Sequence, residues 1–158
     1  SAPKDFIGNE KVSEIICSRM QLSEPDASGR QLPEIIEGAD YKITEFNAAS
    51  GLSRHAKHSW LKVESDPRES PFIPQIFGGD IDEMVASVEL LQDRADTIDI
   101  NFGCPAPKVC RNDAGAALLK NPDKVVKMVK SCIDAADIPI TVKMRLGTGS
   151  GPNTALEI

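Results

Sequence analysis

One stretch near the middle of the chain constrains the fold more than any other, because a strand-like run ends there in a stiff loop. Residues 97–101 alternate polar residues with isoleucine and end at Asn101, and the sequence Gly-Cys-Pro-Ala-Pro follows at 103–107. Each proline fixes its own φ and keeps the residue before it out of the α region, which predicts an extended loop with no room for a helix. The sequence therefore places Asn101 and the thiol of Cys104 at the carboxyl end of a strand.

Strand-like and helix-like segments alternate along the rest of the chain. Apolar residues recur over 81–91 with the spacing of a helix that buries one face. Residues 53–60 fit either a helix or a loop. A helix that begins at Pro122 is expected to bury Val125, Val126, Val129, Cys132, Ile133 and Ala136. The sequence further predicts strands over 15–20, 41–46, 72–77, 97–101 and 138–146, a helix over 31–37 and a short helical piece over 114–119.

This order predicts an α/β fold with parallel strands, because the connections are long enough for crossovers. Two architectures satisfy it: a doubly wound open sheet, or part of a (β/α)8 TIM barrel. No Gly-x-Gly-x-x-Gly sequence follows the first predicted strand, which weakens the dinucleotide-binding version of the open sheet. The barrel explains more, because candidate site residues fall in or just after different strands. We expect an irregular arm over 1–12, a partial barrel over 13–147 and a tail over 148–158.

The composition narrows the class of protein. The 158 residues suffice for one domain, and a net charge of −6 with a pI near 4.9 argues against nonspecific nucleic-acid binding. No apolar run approaches the roughly 20 residues of a membrane span, and the polar start predicts no signal peptide. The cysteines form no Cys-x-x-Cys pair, and His55 and His58 have no third ligand at suitable spacing. We therefore expect a reduced, cytoplasmic setting and no metal site.

Four segments carry a resemblance to a known family. Residues 74–78, 99–109, 114–119 and 141–147 resemble the tRNA-dihydrouridine synthase family in sequence, order and spacing. Members of that family are FMN-dependent TIM-barrel enzymes that reduce the C5–C6 double bond of selected uridines in tRNA, with NADPH as the reductant. The resemblance implies the same fold, the same cofactors and tRNA as the partner of this chain.

The resemblance also implies roles for individual residues. Cys104 is expected to be the acid that protonates C5 of uracil, and a free thiol, with a pKa of about 8.5 in water, is mostly protonated at neutral pH. Gln75 and Lys143 match positions that bind the isoalloxazine ring of FMN, where a cation stabilises the reduced, anionic flavin. Met20 matches a residue that borders the flavin, and Asn101 matches one that faces the target uracil.

Two other interpretations stay open at this stage. A dihydroorotate dehydrogenase-like flavin barrel also places Cys-Pro after a strand that ends in asparagine. The barrel of the family continues for three more strands, so the sequence is expected to hold only the first five and to be inactive alone. The third interpretation is therefore a non-catalytic half-barrel that acts by assembling with a partner chain or with a copy of itself, because open parallel edges invite pairing.

Overall fold

The computed structural model describes residues 42–65, 70–148 and 155. The predicted arm, the strand over 15–20 with Met20, and the helix over 31–37 lie outside the described residues, as does most of the predicted tail. In chain order the described elements are β1 (Lys42–Ile43), β2 (Asn47–Ala48), α1 (Ala49–Ser53), α2 (Lys57–Lys62), β3 (Phe72–Ile73), β4 (Gln75–Phe77), α3 (Ile81–Leu91), β5 (Ile98–Phe102), α4 (Pro107–Cys110), a 3-10 helix (Gly115–Lys120), α5 (Pro122–Asp134) and β6 (Ile140–Met144).

All the described strand pairs are parallel, and they follow one another in chain order. Four strands form one sheet in the order β2-β4-β5-β6, and β1 and β3 form a separate two-stranded pair. The strand predicted over 72–77 is split into β3 and β4, whereas the strand predicted over 41–46 is reduced to β1, and β2 begins just after the predicted range. Thr44 bridges the gap at Pro74, since its amide donates to the carbonyl of Ile73 and its hydroxyl accepts from the amide of Gln75.

The strand order bears on the two architectures that the sequence allowed. A doubly wound sheet reverses its strand order at a switch point, and no reversal occurs among the described strands. The sheet is therefore consistent with part of a (β/α)8 barrel.

Within the described part of the chain, no helix is long and apolar enough to cross a membrane.

The hydrophobic core lies on one face of the sheet. Ile76, Ile98, Ile100 and Phe102 are buried there, together with apolar residues of α3 and α5. The helical spacing predicted over 81–91 is confirmed, because α3 buries Met84, Val88 and Leu91. Ser87 is buried among them, and its hydroxyl is hydrogen-bonded to the backbone carbonyl groups of Ala49 and Glu83.

The buried stripe of α5 differs in part from its prediction. Val125 and Cys132 are fully buried as expected, but Met128 completes the stripe and Ile133 is 51% exposed. Residues 125, 128 and 132 follow one another at the three- and four-residue spacing of a single helix face, whereas residue 133 lies about 100° further round. The prediction for Ile133 was therefore wrong.

Two loops contain more helix than the sequence suggested. The segment over 53–60 is neither one helix nor a loop, because α1 ends at Ser53 and α2 begins at Lys57. Pro107 begins the four-residue helix α4, so the expectation that no helix has room after the Gly-Cys-Pro sequence is wrong. A proline at the first helical position loses no hydrogen bond, and it requires only that the residue before it be extended, as Ala106 is with ψ of 131°.

Candidate active site

The face of the sheet opposite the core carries a row of polar side chains. The parallel register places Gln75 beside Asp99 and Asp99 beside Thr141, and two residues further along it places Asn101 beside Lys143. Side chains two residues apart on a strand share a face, so these five residues face the same way. Gln75, Asp99 and Asn101 are at most 5% exposed although all three are polar.

Hydrogen bonds link the buried members of this row. The amide nitrogen Nε2 of Gln75 donates to Oδ2 of Asp99 at 2.6 Å, and Nδ2 of Asn101 donates to Oε1 of Gln75 at 2.9 Å. The hydroxyl of Thr141 donates to the second carboxylate oxygen of Asp99 at 2.7 Å. Buried polar groups are tolerated when they are paired in this way.

The same row holds the loop that carries Cys104. Oδ1 of Asn101 accepts from the backbone amides of Gly103 and Cys104, at 3.0 and 2.9 Å. On the other side of the loop, the carbonyl of Cys104 accepts from the amide of Ala116 at 2.9 Å. The loop is therefore fixed from both sides, and the half-buried, free thiol of Cys104 lies at the carboxyl end of β5 as predicted.

Lys143 brings a positive charge to this loop. Its half-buried side chain places Nζ 3.4 Å from the position that a Cβ atom on Gly103 would occupy. Burial raises the pKa of the Asp99 carboxyl, while the hydrogen bonds from Thr141 and Gln75 and the charge of Lys143 counteract part of that rise. No salt bridge involves Lys143 within the described ranges, so its ammonium group remains available to a ligand.

The structure thus brings together four of the five residues that the sequence singled out. Gln75, Asn101, Cys104 and Lys143 come from three adjacent strands and the loop after β5, whereas Met20 lies outside the described residues. Sequence reasoning gave no role to Asp99 or Thr141. Strand alternation could have found Asp99, because it lies two residues before Asn101 and so shares its face.

Of the two other described cysteines, Cys110 is free and half-buried like Cys104, whereas Cys132 is free but buried. Cys132 is fully buried in the core, and burial raises the pKa of its thiol to about 11. Cys110 lies on α4 with its Sγ 3.6 Å from the carbonyl oxygen of Cys104. Among the described residues, no group of three His, Cys, Asp or Glu side chains could hold a metal ion.

The donors of the site suit a planar heterocycle with carbonyl oxygens. Gln75 and Asn101 each use one N–H of the side-chain amide within the row, and each keeps a second N–H without a partner among the described residues. Lys143 adds a cation and Cys104 a thiol. This set of groups can bind the oxygen and nitrogen acceptors of a ring, stabilise negative charge on it and donate a proton.

Comparison with known proteins identifies the family. The family model of dihydrouridine synthase (Dus) matches residues 26–158. The chain belongs to the dihydrouridine synthase family. The match includes Gln75, Asn101, Cys104 and Lys143, whereas Met20 precedes it.

Individual proteins that are similar to this chain are also named as dihydrouridine synthases. The tRNA-dihydrouridine synthase B of Serratia marcescens is 44% identical over 153 residues, which are 96% of this chain and 46% of that protein. The tRNA-dihydrouridine(16) synthase of Neisseria meningitidis serogroup A is 38% identical over 143 residues, which are 84% of this chain and 42% of that protein. The chain therefore spans less than half the length of these dihydrouridine synthases.

Proposed function

We propose that this chain contributes the flavin and uracil face of an FMN-dependent tRNA-dihydrouridine synthase with a (β/α)8 barrel, which reduces uridine to 5,6-dihydrouridine in tRNA and uses NADPH as the reductant. The supporting observation is the position of Cys104. Its thiol lies at the carboxyl ends of parallel strands, where barrel enzymes build their sites, and Asn101 holds its loop beside Lys143. Because tRNA is the substrate, we place the protein in the cytoplasm.

Two side chains of the polar row are suited to hold the flavin ring. Gln75 is fixed by Asp99 and Asn101, which leaves one N–H of its amide for a ring acceptor. Lys143 has no salt-bridge partner in the described part of the chain, and its positive charge would stabilise a reduced, anionic ring. Met20 is the further flavin contact in this proposal.

Bound FMN would supply a hydride to C6 of the uracil ring. Cys104 then donates the proton of its thiol to C5, so that one hydride and one proton together saturate the double bond. The thiolate that remains takes a proton from solvent before the next turnover. Asn101, next to Cys104 on the same edge, keeps one amide N–H that can bind a uracil carbonyl.

The test compares two cysteines of one helix-and-loop unit. The assay uses a chimeric protein, in which this chain replaces the matching part of the Serratia marcescens relative. Uridine reduction in tRNA is then measured in a protein of the relative's full length. We expect Cys104→Ala to lower the rate of dihydrouridine formation by about a hundredfold or more, because it removes the general acid. Cys110→Ala is the matched control and should stay within about threefold of the parent.

Two results would contradict the proposal. Equal activity of the Cys104→Ala and Cys110→Ala proteins would exclude the thiol as the acid. Unchanged FMN affinity in a Lys143→Ala protein, measured by quenching of flavin fluorescence, would exclude Lys143 from the flavin site. Lys127→Ala, on the exposed side of α5, serves as the charge-matched control for that measurement.

A further inference from the structure

The hydrogen bonds of the polar row all point in one direction. They start at the backbone amides of Gly103 and Cys104, pass through the side-chain amides of Asn101 and Gln75, and end at the carboxylate of Asp99. At each step the donor lies on the side of the Cys104 loop, and the acceptor lies on the side of Asp99. Thr141 donates to the same carboxylate from the neighbouring strand.

The groups at the two ends of this row determine its direction. A backbone N–H can only donate, and Oδ2 of Asp99 accepts from Nε2 of Gln75 at the other end. Each of the two side-chain amides between them has two possible orientations. If Asn101 were reversed, its NH₂ group would face the amides of Gly103 and Cys104, and if Gln75 were reversed, its oxygen would face the oxygen of Asp99. Only the observed arrangement places a donor opposite an acceptor at every contact between neighbouring members of the row.

We propose that Asp99 is the positioning residue of the site: its carboxylate orients Gln75 and, through Gln75, the side chain of Asn101. Each amide then presents its second N–H in a defined direction, and Oδ1 of Asn101 is held toward the amides of the Cys104 loop. Asp99 acts through these side chains. The effect of this orientation on flavin binding rests on the proposed function, whereas the orientation itself does not.

The surroundings of Asp99 support a role beyond local packing. An unpaired charge in this position would be costly, because the residue is 3% exposed. Two hydrogen bonds and the nearby charge of Lys143 compensate for part of the cost of this burial. Asn at position 99 could keep its oxygen toward Gln75, because the Thr141 hydroxyl can rotate to accept from the new amide. Leucine, which is similar in size, offers no acceptor at all.

The experiment uses the side-chain amide signals of the chain labelled with both ¹³C and ¹⁵N in NMR spectra. In the unmodified chain we expect through-hydrogen-bond couplings from Nε2 of Gln75 to the carboxyl carbon of Asp99 and from Nδ2 of Asn101 to the amide carbon of Gln75. Asp99→Leu should shift the amide signals of both residues toward those of free amides, including Asn101, which Asp99 does not contact. Asp99→Asn should retain the pattern of signals.

A matched control tests whether the removal of a carboxylate elsewhere in the chain also shifts the amide signals of Gln75 and Asn101. Asp96 also accepts one hydrogen bond, from the backbone amide of Phe72, but at the opposite end of the sheet. Asp96→Leu should leave the amide signals of Gln75 and Asn101 unchanged. The parallel measurement is titration with FMN, for which Asp99→Leu should raise Kd by about tenfold and Asp99→Asn by less than about threefold.

The outcomes separate this proposal from the proposed function. Absence of the couplings in the unmodified chain overturns the role of Asp99 even if Asp99→Leu fails to fold. An Asn101 signal that is unaffected by a folded Asp99→Leu chain also overturns it, as does equal FMN affinity in that chain and the parent. Couplings that are present in a chain without affinity for FMN support the orienting role of Asp99 and contradict the flavin site instead.

Discussion

Gly115 shows how a single residue fixes the position of the Cys104 thiol. It adopts a φ of +58°, in the left-handed region that L residues avoid. A Cβ atom here would lie 2.7 Å from the carbonyl oxygen of Cys104 and 2.8 Å from Cγ1 of Val109. The carbonyl belongs to the backbone and cannot rotate away. Close packing at Gly115 therefore brings the 3-10 helix against the loop of the site.

Gly115→Ala is expected to destabilise the chain by about 2–4 kcal/mol, the sum of left-handed strain and steric overlap with the Cys104 loop. Unfolding in urea, followed by circular dichroism, measures the loss. The variant should also weaken FMN binding, because the loop must shift to admit the methyl group. A stability within about 0.5 kcal/mol of the parent would show that the loop can move freely.

Asp113 provides the control, since it lies two residues earlier and also has a positive φ, of 51°. Asp113→Gly relieves the strain at this position and removes a surface ion pair with Lys124, whose contribution is small because Asp113 is 64% exposed. We expect the free energy of unfolding to change by less than about 1 kcal/mol. Gly115→Ala adds a side chain at a left-handed position, and Asp113→Gly removes one. Comparison of the two variants therefore separates the effect of backbone strain from the effect of disrupting the Cys104 loop.

At the scale of the helix and strand, alternation and capping explain what the sequence could predict. The alternation over 97–101 predicted β5 and the face on which Asn101 lies, because a two-residue period that ends at a Gly-Cys-Pro loop is typical of a strand. The short helical piece predicted over 114–119 and the start of α5 at Pro122 are confirmed, and the structure shows that the first of them is a 3-10 helix. The resemblance supplied roles for Gln75 and Lys143 that composition alone does not give.

Features that depend on contacts between elements could not be predicted. The split of β1 from β2 depends on Thr44 bonding across Pro74. The burial of Met128 depends on the angle at which α5 lies on the sheet, and the hydrogen-bonded row depends on strand register. A sequence fixes the period of each element, whereas register and helix rotation are set by packing.

The N-terminal caps of α3 and α5 permit a prediction at this scale. Oδ1 of Asp80 accepts from the amide of Glu83 at 3.0 Å, and Oδ1 of Asn121 accepts from the amide of Lys124 at 3.1 Å. Asp80→Ala and Asn121→Ala should each lower the free energy of unfolding by about 1 kcal/mol, because each removes the side-chain oxygen that accepts from a first-turn amide. The amide of Lys124 then keeps only its contact with the backbone carbonyl of Asn121.

The double variant tests whether α3 and α5 unfold together. If the chain unfolds in one step, the two losses should add to about 2 kcal/mol in urea titrations, since the caps share no hydrogen-bond partner. Lys127→Ala, on the exposed face of α5, is the control and should change stability by less than about 0.5 kcal/mol. Two separate transitions in the double variant would contradict unfolding in one step.

At the scale of the whole molecule, β5 lies at the centre of the described sheet. Its amides alternate between neighbours: that of Asp99 donates to Pro74 at 3.0 Å, and that of Ile98 donates to Pro139 at 3.1 Å. β6 pairs with β5 on one side, and no described strand pairs with its other edge. Val142 on β6 is 37% exposed, whereas its register partner Ile100 on β5 is fully buried.

Hydrogen exchange should reveal this difference between a central and an edge strand. In a parallel edge strand, alternate amides point away from the neighbouring strand and lack a partner. We therefore expect slow exchange at all five residues of Ile98–Phe102, and slow and fast exchange at alternate residues of Ile140–Met144, in NMR spectra recorded after transfer to D₂O. Uniform protection along β6 would contradict an open edge. If this protection of β6 were lost on dilution, the covering strand would come from a second copy of the chain. If the protection persisted on dilution, the covering strand would come from residues outside the described ranges.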